Sequence, residues 1–286
     1  MKMTNVGNIT RLNLGGLTIE GFAISAIASY IMVPELKVVF DLGHCPVEAI
    51  PYTVFLSHTH KDHAAGVPMY FSLRDMQGMT EGRVYCPMTS AGKLVTMLRA
   101  FDAMEGPVVH DRSGAVYGVE PGNEFPFGKH LVRVLEVTHR VESVGYTFVE
   151  RKKKLLPEFE GASKETIIAA RKAGQAIDSV AERPVLTYIG DSTIQTLEEH
   201  PEVGQSAVLV IEATHMGEFS PEESTKMGHT HLDQIVALYE RSPETFASPA
   251  IVLKHFSMRY KPEEILRHLS LLPEGLRNKI HPFINR

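Results

Sequence analysis

The chain is short of the features that mark several common classes of protein. Its 286 residues contain two cysteines, Cys45 and Cys86, and no C-x-x-C pair. That argues against a disulfide-built scaffold and against a cysteine-ligated structural zinc, and it suits a reducing compartment. No apolar run is long enough to span a bilayer; the most apolar early stretch, "GFAISAIASYIMV", stops at Pro34. The start shows no basic segment leading into an apolar core and a small-residue cleavage site. A soluble, cytoplasmic protein with no membrane partner is the expectation. Linkers rich in Pro, Gly or Ser, short repeats and low-complexity tracts are missing too. Residues 1–286 therefore read as a single domain.

What is present is an ordinary globular composition, 43% hydrophobic and 22% charged, with net charge −5. As an average, that charge speaks against a nucleic-acid partner. Its distribution does not. Between Glu150 and Lys172 stand seven basic residues, Arg151, Lys152, Lys153, Lys154, Lys164, Arg171 and Lys172, against four acidic ones. A local basic arm on an acidic body can still bind a polyanion.

Strand and helix patterns alternate along the chain. "NITRLNL", "LTIEGFAIS", "LKVVFDL" and "YTVFL" read as early strands, and "HLVRVLEVT", "VGYTFVE", "PVLTYIGDS", "AVLVIEAT" and "AIVLKHFS" as later ones. Helical spacing appears in "TSAGKLVTMLRAFDAM" with Ser90 as N-cap and in "ASKETIIAARKAGQAI" with Ser163 as cap. It recurs in "LDQIVALYER" and "KPEEILRHLSLL". The fold class is α/β, with a basic arm at approximately 149–180 inserted into it.

The densest chemistry is "SHTHKDH", directly behind the strand "TVFL". It is either a solvated, histidine-rich turn or part of a metal site. His58 and His60 face the same way in extended geometry, and Asp62 and His63 form a second pair as the chain turns. Two ions, one per pair, fit that spacing better than one. His/Asp ligands suit zinc and its neighbours. Further candidates close other apolar runs: His139 after "VRVLEVT", Asp191 after "VLTYIG", and His255 after "IVLK". Singly, each could be a cap or a turn residue.

Together these residues are similar to the metallo-β-lactamase superfamily of binuclear hydrolases. A set of further motifs resembles its tRNase Z branch, the short-form tRNA 3′ endonucleases. It comprises "FDLGHCP", "GVPMYFSLRDMQGM", "HRVESVGYTF", "IGDST", "IEAT", "GHTH" and "HFSMRY". The resemblance runs almost end to end. It implies an αββα four-layer sandwich, two central mixed β-sheets flanked by helices.

It also implies two Zn2+ per subunit, with Mn2+ or Fe2+ as substitutes. His58, His60 and His139 would hold one ion, Asp62, His63 and His255 the other, and Asp191 would bridge them. Asp41 would steady the histidine loop from behind. Such a site activates water and clamps phosphate oxygens, with Asp62 essential to it. A sugar 3′-oxygen leaves poorly without a proton, so a general acid is required. The resemblance gives that role to His229, oriented by Glu212. Ser143 and Arg259 are candidates for phosphate contacts, with a structural hydrogen bond as the alternative for each.

The resemblance further implies a precursor tRNA substrate, cut to a tRNA 3′-hydroxyl and a trailer 5′-phosphate, and a homodimer. No DNA partner is expected. Arg151, Lys152, Lys153 and Lys154 would grip the tRNA from an arm that lacks the family's usual Gly-Pro tip and looks partly helical; an ordinary solvated face is the alternative. His215, where the family usually has an apolar residue, is read as structural. The competing activity is a metal phosphodiesterase acting on cyclic nucleotides or other small phosphodiesters. A lactonase does not call for the Glu212–His229 pair, and a non-catalytic RNA-binding protein does not call for seven intact ligands.

Overall fold

The structure, a computed structural model, describes residues 9–80 and 82–285. One sheet contains β1 (Thr10–Leu14), β2 (Leu17–Ser25), β3 (Ala28–Val33), β4 (Val38–Phe40), β5 (Thr53–Phe55), β6 (Val84–Pro87) and β7 (Val116–Val119), paired in that order. The other contains β8 (Glu124–Phe127), β9 (His130–Val137), β10 (Ser143–Leu155), β11 (Asp178–Tyr188), β12 (Val208–Glu212), β13 (Ile251–Lys254) and β15 (Ile280–Pro282); β14 (Phe256–Ser257) crosses back to pair with β2. Both sheets are mixed. β1 to β4 run antiparallel and β4 to β7 parallel. In the second sheet β8 to β11 are antiparallel and β11, β12, β13 and β15 parallel.

Helices α1 (Lys61–Ala64), α2 (Val67–Met76) and α3 (Met88–Glu105) belong to the first half. α4 (Lys164–Lys172) lies between β10 and β11, and α5 (Gln195–Glu199), α6 (Pro221–Lys226), α7 (Leu232–Arg241), α8 (Pro262–Ser270) and α9 (Glu274–Arg277) belong to the second half.

Strand alternation builds the layers. In β12, Val208 and Val210 face the core between the sheets, whereas Leu209 and Ile211 face a second core shared with Leu232, Ile235 and Leu238 of α7. In β4, Val38 and Phe40 face the inter-sheet core and Val39 faces Val67, Phe71, Leu94 and Leu98 of α2 and α3. Side chains on successive strand residues point to opposite faces, so two doubly buried sheets yield helix, sheet, sheet, helix. The expected four-layer sandwich is the observed one. Truncating one of these side chains, as in Ile211→Ala, removes about 2–5 kcal/mol of stability.

Two local expectations need correction. Helix α3 starts at Met88, directly after Pro87, so Ser90 is not its cap; Ser90 is buried within the first turn and its hydroxyl meets Thr59 Oγ1 at 3.2 Å. The strand read over "AIVLKHFS" is interrupted at His255, whose φ of 63° breaks it into β13 and β14. The expected partly helical arm is present, and its lysine run is strand. Arg151–Leu155 continue β10, pairing with β11 residues 178–182 after β9 has stopped pairing at Glu150. The expected helix follows it as α4, with the Ser163 hydroxyl accepting from Thr166 N at 3.2 Å. Phe159, Ala170 and Ile177 give this tip a small apolar core of its own. The first residue of the strand expected at "NITRLNL", Asn8, lies outside the described residues.

Candidate metal centre

The site forms where several strands end together. Asp41 follows β4, Ser57 and His58 follow β5, His139 follows β9, Asp191 follows β11 and His255 follows β13. Parallel neighbours finish at one edge, so residues closing distant apolar runs converge there. Two of them adopt strained backbone, Asp41 at φ 54° and His255 at φ 63°. A non-glycine left-handed residue costs of order 1–3 kcal/mol, which packing elsewhere must offset. Small residues let the loops meet: a Cβ on Gly190 would lie 2.1 Å from Ser57 Oγ, and one on Gly43 would lie 1.8 Å from the Asp62 carbonyl oxygen.

Three groups of donor atoms result: Glu212, His229 and His255 make one, and the other two share Asp191. His58, His60, His139 and Asp191 form one, and Asp62, His63, His255 and Asp191 the other, the ligand atoms of each lying within 4.8 Å of one another. Asp191 belongs to both. Its Oδ2 is 3.2 Å from His63 Nε2 and 3.9 Å from His58 Nε2, and its Oδ1 is 3.3 Å from His255 Nδ1.

The fit of this cluster to divalent metal can be judged from its nitrogens. Ring nitrogens face one another: His58 Nε2 and His60 Nδ1 at 3.0 Å, His60 Nδ1 and His139 Nε2 at 3.3 Å, His63 Nε2 and His255 Nε2 at 3.3 Å. Two nitrogens each about 2.1 Å from a tetrahedral zinc lie about 3.4 Å apart, so these spacings are those of ligands around a shared cation. Burial holds His58, His139 and His255 below the usual imidazole range and so neutral. Among the described residues, buried Asp191 Oδ1 has no hydrogen-bond donor. The donors fit.

The opposite ring nitrogens are fixed from behind. His63 Nδ1 donates to Asp41 Oδ2 at 2.8 Å and His139 Nδ1 to the Gly228 carbonyl at 2.7 Å; His58 Nδ1 meets Ser57 Oγ at 3.0 Å and His255 Nδ1 meets Thr214 Oγ1 at 3.0 Å. Outer partners of this kind set the tautomer and aim the inner lone pair. Asp41 is fully buried and also accepts from Ser57 N at 2.7 Å and Tyr188 OH at 2.6 Å. Burial disfavours charge on His63, but Asp191 and Asp41 outweigh it and raise its pKa to about 10. A cation arriving there displaces that proton. Asp62 accepts from Ala26 N at 2.9 Å; burial is overcome by His255 and His63, which bring its carboxyl down to about 2.

Beside the two sets stands a carboxylate–imidazole pair. His229 Nδ1 donates to Glu212 Oε1 at 2.8 Å and lies 3.9 Å from Asp191 Oδ2. Glu212 also accepts from Ser192 N, Thr214 N and the Thr214 hydroxyl. Burial opposes charge on His229, yet the Glu212 carboxylate raises its pKa to about 9.

Other candidates lie elsewhere. Ser143 is buried and gives its hydroxyl proton to Val141 O at 3.0 Å. The Arg259 guanidinium sits over the Phe219 ring, 5.5 Å from its centroid. Arg151 pairs with Glu182 and Lys152 with Glu150, whereas Lys153 and Lys154 have no carboxylate within ion-pair distance among the described residues. Sequence reasoning passed over Thr214, Tyr188 and Ser57. Thr214 was within sight as the third letter of "EAT".

The match to the beta-lactamase superfamily domain spans residues 45–256, and all seven donor residues fall inside it. Fold and site thus define a member of the metallo-β-lactamase superfamily. The chain is 31% identical to tRNase Z TRZ1 of Arabidopsis thaliana, over 94% of this chain and 95% of that protein. It is 29% identical to the chloroplastic tRNase Z TRZ2 of the same plant, over 95% of this chain and 76% of the other. The crystal structure of the human short-form tRNase Z has the same fold, with TM-score 0.57, 17% identity and coverage of 92% of this chain and 96% of that one. Within the superfamily, the chain belongs to the tRNase Z family, whose members are metal-dependent hydrolases. No helix among the described residues is long and apolar enough to cross a membrane.

Proposed function

We propose that the chain is a zinc-dependent endoribonuclease that removes the 3′ trailer of precursor tRNA. The products are a tRNA 3′-hydroxyl and a trailer 5′-phosphate. The observation that carries this reading is the Glu212–His229 pair set against Asp191, a proton donor placed beside the two sets of metal-donor atoms.

His58, His60, His139 and Asp191 would hold one Zn2+, and Asp62, His63, His255 and Asp191 the other, with Mn2+ or Fe2+ as substitutes. When bound, the pair of ions activates water and polarises the phosphate oxygens. Everything else is done by side chains. Asp41 keeps His63 oriented through Nδ1. Glu212 occupies His229 Nδ1, which leaves Nε2 to protonate the departing 3′-oxygen. The Glu212 carboxylate keeps that proton on the ring at neutral pH.

The β10–β11 extension supplies the tRNA contact. On its strands Lys153 and Lys154 have no carboxylate within ion-pair distance among the described residues, while Arg151 and Lys152 reach phosphate only by leaving Glu182 and Glu150. A homodimer is supported by exposed apolar side chains on α2 and α3 and in the loop after them: Met69, Met76, Phe101, Met104, Val108 and Val109.

The test is a substrate panel. Zinc-loaded protein is offered a precursor tRNA, a cyclic nucleotide and a chromogenic phosphodiester. Cleavage of the precursor at the tRNA 3′ end supports the proposal; hydrolysis of the cyclic nucleotide with the precursor untouched replaces it with a small-molecule phosphodiesterase.

A further inference from the structure

His215 lies behind His229 and is bound to it twice over. Its ring is buried, sits edge-on to the His229 ring at 5.7 Å between centroids, and stacks on Phe219 at 3.9 Å with 14° between planes. The Arg259 guanidinium lies over the Phe219 ring as well, 5.5 Å from its centroid. The second connection runs through Ser224. His215 Nδ1 is 2.9 Å from Ser224 Oγ, and Ser224 Oγ donates to the His229 carbonyl oxygen at 3.1 Å. A hydroxyl has one proton, and here it is spent on His229 O. His215 Nδ1 must therefore donate its own proton to Ser224.

The backbones join as well. Leu232 N donates to His215 O at 2.9 Å and His229 N to Ser224 O at 2.9 Å. The loop carrying His229 thus hangs between α6 and the segment after Glu212. Burial, helped by the neighbouring His229, drives the His215 pKa down to about 4, so the ring is neutral and adds no repelling charge behind a proton donor.

We infer that His215 is a positioning residue for His229: its Nδ1–H directs the Ser224 hydroxyl onto the His229 backbone, and its ring edge fixes the plane of the His229 imidazole. Glu212 holds His229 through one nitrogen only, which leaves rotation about that hydrogen bond open. The His215 ring, with those of His139 and His255, limits that freedom. A phenylalanine in this place keeps the stack on Phe219 but cannot donate to Ser224. An asparagine presents an N–H at the position of Nδ1 and loses the stack.

This inference rests on His229 being the proton donor, and the experiment separates the two. Precursor tRNA cleavage needs a protonated leaving group, whereas a p-nitrophenyl phosphodiester expels a stable anion without one. With zinc-loaded protein, His215→Phe and Ser224→Ala are expected to lower kcat on the precursor about tenfold, the scale of a small misalignment, while KM holds and nitrophenyl hydrolysis stays within about twofold. His215→Asn, which restores the N–H to Ser224 without the ring, recovers part of the precursor kcat. Equal loss on both substrates, or no loss on the precursor, overturns the inference. His229→Ala is the control. If it depresses both substrates equally, the assignment of His229 itself falls; if it separates them and His215→Phe and Ser224→Ala do not, only the positioning role falls.

Discussion

The carboxylate of Glu212 and the imidazole of His229 meet at 2.8 Å, with Glu212 fully buried and His229 keeping 16% of its side chain exposed. A buried anion and a ring open on one side make a proton donor that is charged from behind and accessible from the front. The raised pKa of about 9 has a definite sign: the protonated ring persists from acid to neutral pH and is lost as pH rises through about 9. NMR titration of the metal-free protein should show this, and Glu212→Gln should move the His229 transition towards neutrality. The alkaline limb of the precursor-cleavage profile should move the same way. An unmoved His229 resonance would mean that Glu212 does not hold the proton there.

Tyr188 lends Asp41 one of several hydrogen bonds, from deep in the inter-sheet core. Tyr188→Phe leaves the packing and removes a donor to a buried carboxylate, at a cost of about 1.5–3 kcal/mol in denaturant unfolding. Because Asp41 also orients His63, metal affinity should fall by about tenfold or more, measured by competition with a zinc chelator. Lost stability with unchanged affinity would separate Asp41 from the metal centre.

Charge on the arm should count by pairing rather than by position in the run. Lys153→Ala and Lys154→Ala are each expected to reduce the salt slope of precursor tRNA binding by about one, whereas Arg151→Ala, already matched to Glu182, changes it less. Nitrophenyl hydrolysis should be untouched. Binding titrations at several salt concentrations decide this.

Met76 and Met104 are 82% and 73% exposed, an unusual waste of apolar surface on two helices of one half of the molecule. Met104→Asp should convert a dimer to monomer in light scattering, with little change in thermal stability of the monomer. A wild-type monomer at working concentration would remove the dimer from the account.

Much of the site was legible because Asp41, His58, Asp191, Glu212 and His255 each close an apolar strand, where a polar residue stands out. The layers were legible from alternation, as in "VLVIE". Less visible was what depends on tertiary proximity. Thr214 matters because His255, 41 residues on, folds against it, and Tyr188 because Asp41 lies 147 residues away in sequence. The lysine run reads only as a charged, solvated face until β11 supplies Glu182 and the ladder that makes it strand. Ser90 has the chemistry of a cap, but Pro87 starts α3 a turn earlier and leaves the serine inside. His215 is a plain loop histidine until Ser224 and Phe219 are placed around it.

The most direct measurement is end analysis of the RNA products. Zinc-loaded protein should cut a trailer-bearing precursor tRNA to leave a 3′-hydroxyl on the tRNA and a 5′-phosphate on the trailer, and Asp191→Ala should abolish the cut while tRNA binding persists. A trailer with a 5′-hydroxyl, or an intact precursor under conditions where cyclic nucleotides are hydrolysed, would contradict it.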